Sequence, residues 1–287
     1  MSRLPSRVKL FAAISISVVL LVLFLAPMNA PLYNLLLFPY SDPRTPSIDG
    51  ALQEFRGQNF VPREIVFPSK NGRLLHGILF ERADTPRIFL YNHTKGNNMY
   101  LQISKAHLFF CCGASVFMYD YQGFGRSEGR TTAGGTCEDA LAAYDYLIQH
   151  EHRKGKDIIA IGESYGSGVT GQLATHRELA GVIMLSGFSS LISCAKDKLF
   201  WLRWYPLWSF PREFNMDNVS VFERVHPPLL IVHGKTDVIV PCGEARTLYA
   251  RAAEPKSMLL FPKGHCTFGK GNEFAIAVRQ FLKENNI

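Results

Sequence analysis

The sequence predicts an α/β fold, a mostly parallel sheet with helices on both faces, on three observations. From about residue 60 to the C-terminus, short apolar runs alternate with stretches of helical periodicity. The later runs are unbroken Ile, Val, Leu and Phe, which is how strands buried on both faces read. The 287 residues, 47% hydrophobic and 19% charged, suit one large α/β domain and exclude a disordered or coiled-coil chain.

The strands are expected at 64–67, 74–80, 87–91, 115–119, 157–162, 181–186, 228–233 and 257–261. Helices are expected between them at 99–109, 136–149, 165–175, 243–252 and 272–283. The clearest is 136–149, where Ala140, Ala143, Tyr144 and Leu147 recur at three- and four-residue spacing. The stretch 191–218 breaks the alternation and holds Trp201, Trp204 and Trp208 with Phe200, Tyr205, Phe210 and Phe214. An excursion of that length reads as a short aromatic-rich lid over an apolar substrate pocket, or as a helix packing its rings on the core.

Residues 10–41 contain no Asp, Glu, Lys or Arg, and Arg3, Arg7 and Lys9 precede them. Residues 1–40 are therefore expected to be an N-terminal membrane anchor, with a signal-anchor helix at about 10–28. Met28 and Pro31 make a poor cleavage site around Ala30, which disfavours the alternative of a removed secretory signal; a buried core helix at the terminus is the other alternative. The positive-inside rule then makes the protein single-pass with an extracytoplasmic catalytic domain. The Pro/Ser/Asp-rich start of 41–59 reads as a juxtamembrane linker, leaving 60–287 as the catalytic domain. The net charge of +7 is mild once the three leading cations are set aside, and there is no Lys/Arg run, so no nucleic-acid partner is expected. A monomer is expected. The six cysteines form no C-x-x-C pair, so neither zinc binding nor thioredoxin chemistry is expected.

Gly162-Glu163-Ser164-Tyr165-Gly166 follows an apolar strand and precedes a helix, the setting of a nucleophile elbow. The turn is so tight that only small residues fit two positions either side of the serine. A serine hydroxyl needs a base, and the base needs an orienting carboxylate. Asp237 lies just past the strand ending at His233, and His265 just past the strand ending at Phe261. Ser164, Asp237 and His265 thus occur in the expected chain order, beyond the carboxyl ends of their strands. Asp120 and Asp217 compete less well as the acid: Asp120 reads as ordering the loop after its strand, and Asp217 as a helix cap. His233 reads as holding the Asp237 turn. The oxyanion donors are expected to be the backbone N–H groups of Tyr165 and Lys95, the latter in the loop after the third strand, with Thr94 as the alternative to Lys95.

These motifs, with Asp120-Tyr121-Gln122-Gly123-Phe124-Gly125-Arg126-Ser127-Glu128-Gly129, resemble the α/β-hydrolase superfamily and within it the membrane-anchored α/β-hydrolase-domain serine hydrolases. The resemblance covers about 60–285. It implies an α/β-hydrolase fold and acyl-ester or thioester hydrolysis by Ser164, Asp237 and His265, without cofactor or metal. Two departures stand out: Thr94 replaces the glycine usual after His93, and Gln122 replaces the usual arginine. The expected protein is a serine hydrolase acting through an acyl-enzyme on a small-molecule or lipid-like acyl ester. A peptidase of the same fold and a catalytically silent interaction protein are the alternatives.

Overall fold

The computed structural model describes residues 6–24, 30–38, 62–267 and 272–287. The eight expected strands are all present, within a residue or two of their expected bounds: β1 (Arg63–Pro68), β2 (Leu74–Phe80), β3 (Ile88–Asn92), β4 (Ser115–Tyr119), β5 (Ile158–Glu163), β6 (Gly181–Leu185), β7 (Leu229–Gly234) and β8 (Lys256–Phe261). They form one sheet in the order β1-β2-β4-β3-β5-β6-β7-β8. β1 and β2 pair antiparallel, as do β2 and β4, and every later pairing is parallel.

Side chains alternate between two cores because the strand period is two. Ile88, Leu90, Ile158 and Ala160 enter one core; Phe89, Tyr91, Ile159 and Ile161 enter the other. The first core is closed by α4 (Ala133–Gln149), α5 (Tyr165–His176), α7 (Asn218–Phe222) and α8 (Cys242–Arg251), the second by α3 (Ser104–Phe110) and α9 (Glu273–Glu284). The periodic residues of α4 are all buried. It starts three residues earlier than expected because Thr132 caps it, accepting from the Gly135 amide at 3.0 Å. The expected 99–109 helix is instead a 3₁₀ turn, Met99–Gln102, joined to α3 at Ile103.

The chain leaves β3 through α3 to β4 on one side, then returns through α4 to β5 on the other. The strand order therefore reverses between β3 and β5, and ligands of open α/β sheets bind at such a crevice.

The membrane expectation is corrected. Among the described residues, no helix is long and apolar enough to cross a membrane. Helix α1 (Ser6–Phe24) has 19 residues but begins with Arg7 and Lys9. Its uncharged part, Leu10 to Phe24, is only about 22 Å long at 1.5 Å per residue, short of the roughly 30 Å of a hydrocarbon core. A single-pass anchor with an extracytoplasmic catalytic domain is thus not supported, nor is attachment to a membrane through this helix. Residues 25–29 of the expected span, and the expected linker 41–59, lie outside the described residues. The following helix, α2 (Ala30–Leu37), packs on protein: Tyr33 and Phe38 belong to the first core. The Phe38 ring lies 5.1 Å from that of Tyr165 and 6.5 Å from that of Phe124. Asn34 accepts from the Ala133 amide at 2.9 Å.

The 191–218 excursion forms α6 (Leu191–Lys198) and three 3₁₀ turns, Phe200–Trp204, Leu207–Ser209 and Arg212–Phe214. Pro206 and Pro211 stand at the starts of the last two, where proline prevents a continuous helix. The aromatics divide. Phe214 is buried and Trp201 donates to the Tyr33 hydroxyl, whereas Trp204 and Trp208 are 85% and 82% exposed.

Candidate active site

Three loops meet at the carboxyl ends of β5, β7 and β8. Strand β5 is wholly buried and runs straight into Ser164, which is held at φ 52°, ψ −114° before α5 begins at Tyr165. A left-handed φ at a non-glycine residue is costly and persists only where neighbours enforce it. Here the Ser164 amide is fixed to the Leu185 carbonyl at 2.8 Å. The elbow glycines are there because of close approach. A Cβ on Gly162 would sit 2.4 Å from the Gly166 carbonyl oxygen, and one on Gly166 would sit 2.0 Å from the Asn92 carbonyl oxygen. The elbow therefore presses directly on the end of β3.

Asp237 is buried in the turn after β7. Its Oδ1 accepts from the amides of Ile239 and Val240, each at 2.9 Å, so that Oδ2 is left for His265 Nδ1 at 2.7 Å. His233 supports the turn from within: Nε2 lies 2.9 Å from the Val240 carbonyl oxygen and 3.5 Å from Asp237 Oδ2. Burial lowers its pKa and keeps the ring neutral. His265 follows β8, and its Nε2 lies 3.0 Å from Ser164 Oγ. The loop comes this close because β7 ends in Gly234, where a Cβ would lie 2.3 Å from the Lys263 carbonyl oxygen. The structure thus brings Ser164, His265 and Asp237 into one hydrogen-bonded series. Such a series can withdraw a proton from a hydroxyl and stabilise the imidazolium that results.

Tyr165 opens α5 directly after Ser164, and Lys95 lies in the exposed loop after β3. The contact between Gly166 and Asn92 brings these two segments together. Asp120 and Asp217 do not join this series. Asp120 Oδ1 accepts from the Met99 amide at 2.6 Å, and Asp217 caps α7 by accepting from the Ser220 amide at 3.2 Å. Gln122, the departure from the usual arginine, serves the core: its side-chain amide donates to Asp139 Oδ1 at 2.7 Å and its backbone amide to Oδ2 at 2.8 Å. Sequence reasoning overlooked Glu163, Lys105, Tyr91 and Gln102, a polar cluster beneath the elbow. The one available signal was an acid as the last residue of an otherwise apolar buried strand.

His93 begins the loop after β3 and is completely buried. Its Nδ1 lies 2.6 Å from the Thr94 carbonyl oxygen, to which it donates, and its Nε2 accepts from the Tyr121 amide at 3.4 Å, a pattern only a neutral ring can make. Burial pulls its pKa from 6.5 down to about 4. The unfolded chain therefore takes up a proton here before the folded one does. Stability contributed by neutral His93 is complete above pH 6.5 and is lost as the pH falls from there through 4. The loss amounts to about 3 kcal/mol over that window. Thermal melts between pH 7 and 4.5 are expected to show a falling Tm, and His93→Gln a shallower fall. Parallel curves for the two proteins would contradict this assignment.

Comparison with known proteins gives a consistent picture. The model of the prolyl oligopeptidase family matches residues 105–283. The uncharacterized protein Rv2307c of Mycobacterium tuberculosis is 30% identical over 263 residues, covering 88% of each chain. The alpha/beta hydrolase domain-containing protein WAV2 of Arabidopsis thaliana is 26% identical over 223 residues, covering 72% of each. In fold, the chain is similar to the Pyrococcus furiosus esterase Pf2001, with a TM-score of 0.67 at 18% identity, over 85% of this chain and 97% of that one.

Proposed function

Because this chain belongs to the prolyl oligopeptidase family of α/β-hydrolases, we propose that it is a serine hydrolase that cleaves carboxylic ester or thioester bonds. The observation that carries this reading is the unbroken series from Ser164 Oγ through the His265 imidazole to Asp237 Oδ2, at 3.0 and 2.7 Å.

In this reading Ser164 Oγ attacks the substrate carbonyl while His265 Nε2 takes its proton. Asp237 holds the ring with Nδ1 protonated and Nε2 free to accept. The oxyanion of the tetrahedral intermediate is bound by the amides of Tyr165 and Lys95, with the positive end of α5 beneath it. Collapse expels the alcohol or thiol, which leaves with the proton from His265. Water activated by the same nitrogen then attacks the acyl-enzyme, and the carboxylic acid departs as Ser164 is reprotonated. Residues 60–287 form the catalytic unit, with α2 packed on it and 191–218 acting as lid. The apolar rings of Phe38, Trp201 and Phe214 around the elbow and the lid favour an apolar acyl group.

A peptidase reading is favoured by the name of the matching family, and one assay separates the two. A fluorophosphonate probe is expected to label the wild type and not Ser164→Ala. Wild-type protein is then given p-nitrophenyl esters of increasing acyl length, an acyl thioester and proline-containing peptide amides. Butyrate or longer esters are expected to turn over faster than acetate and far faster than the amides. Faster turnover of the amides would establish the peptidase instead.

A further inference from the structure

Beneath the triad lies an ion pair that acyl transfer does not use. Glu163, immediately before Ser164, is completely buried. The Lys105 ammonium on α3 meets both of its carboxylate oxygens, and the Tyr91 hydroxyl on β3 donates to one of them. Gln102 extends the cluster. Its side-chain oxygen contacts the Tyr91 hydroxyl and Lys105 Nζ, while its side-chain nitrogen donates to Thr94 Oγ1 at 3.0 Å and to the Asn97 carbonyl oxygen at 3.4 Å. On the far side is Cys266, directly after His265. Its amide donates to Ser186 Oγ, and burial together with the Glu163 carboxylate raises its pKa and keeps the thiol protonated.

The carboxylate of the residue that precedes Ser164 is therefore in contact with Cys266, the residue that follows His265, and through Lys105 and Gln102 with the loop that carries Lys95. A buried ion pair is weak evidence of stability, since well-packed apolar side chains of the same volume do as well. What it adds is directional bonding that fixes register. We propose that Glu163 and Lys105 are positioning residues, a charge-paired hub that holds the nucleophile elbow, the His265 loop and the oxyanion loop in mutual register. The proposal rests on the serine-hydrolase reading of the same site.

The hub also places two charges beside Cys266, the neighbour of His265. Around the His265 ring stand Asp237 and His233 from the end of β7 and Cys266 beside it, with Glu163 and Lys105 acting on Cys266 and Glu244 of α8 acting on His233. The exposed Lys235 and Lys263 stand on the flanking loops. Glu163→Gln leaves the Lys105 cation uncompensated, which disfavours the imidazolium and moves the acid limb of kcat/KM to lower pH.

The test uses the full-length protein, p-nitrophenyl butyrate and the fluorophosphonate labelling rate, with a thermal melt on each variant. Glu163→Gln and Lys105→Met are expected to lower kcat and the labelling rate by about 10- to 100-fold, with KM within about threefold of wild type. In Glu163→Gln the acid limb falls by about half a pH unit or more, and in the Glu163→Gln/Lys105→Met double variant it returns to the wild-type position. Gln102→Leu leaves both charges in place and is read where Glu163→Gln fails to fold; its labelling rate is expected to fall by about fivefold or more. A labelled wild type with folded variants that match it in kcat, labelling rate and acid limb would overturn the hub alone. A wild type that the probe does not label would overturn the serine-hydrolase reading and the hub with it.

Discussion

Replacing His265 with alanine is expected to lower kcat by about 10⁶-fold while KM stays within about threefold. The size follows from what the imidazole does. In the proposed mechanism it is the proton acceptor, placed 3.0 Å from Ser164 Oγ, and without it the hydroxyl must attack as a neutral alcohol. Substrate binding does not depend on that proton, so the loss falls on kcat. Asp237→Asn should cost less, about 10⁴-fold. An asparagine Oδ1 can still accept from the Ile239 and Val240 amides, so the turn survives. Its NH₂ would face His265 Nδ1, however, and drive the imidazole proton to Nε2, where it blocks transfer from serine. Steady-state kinetics with p-nitrophenyl butyrate, read beside a Tm within about 3 °C of wild type, check both values. His265→Ala retaining more than about a hundredth of wild-type kcat would rule the residue out as the base.

The largest effect on stability is expected at Gly166. An alanine Cβ there would lie 2.0 Å from the Asn92 carbonyl oxygen, 2.7 Å from its carbon and 2.8 Å from the His93 carbonyl oxygen. All three are backbone atoms, so no side chain can swing away. Either α5 lifts from the sheet or β3 is displaced, and both options break packing in a fully buried region. A loss of about 3 kcal/mol or more follows, a Tm lower by roughly 6–12 °C in a domain of this size. Gly243→Ala in the first turn of α8 is the control, because a Cβ there meets nothing within 4 Å. It is expected to stabilise by about 0.5–1 kcal/mol, through the smaller backbone entropy of the unfolded chain. Equal Tm values for the two variants would refute the close-approach argument.

These contrasts also mark what could be read from residues alone. β2 and β4 match their expected bounds because apolar residues end sharply at polar or glycine neighbours. The meeting of Ser164, Asp237 and His265 was legible because each follows an apolar strand in a fixed chain order. The neighbours of a strand are not written in its periodicity. Nothing in 115–119 says that β4 lies between β2 and β3, or that β1 and β2 run antiparallel to the strands they pair with. The cluster around Glu163 escaped for the same reason, since Tyr91, Lys105 and Cys266 meet it only once the sheet is assembled. The N-terminal segment was misread because hydropathy measures aversion to water and is silent about what replaces it. For Tyr33 and Phe38 the replacement is protein, the rings and helices around the elbow.

The sheet order has a further consequence for how the site fails. Ser164 follows a central strand, whereas His265 follows β8, which pairs with β7 alone and is the half-exposed margin of the sheet among the described residues. Cooperative units of lowest stability open first, and margins are drawn from that end. Were β8 to fray on warming, His265 would leave Ser164 while β3, β5 and β6 still held the serine in its strained turn. If Ser164 and His265 act as proposed, activity is expected to fall reversibly below the global Tm, at temperatures where most of the fold is still intact.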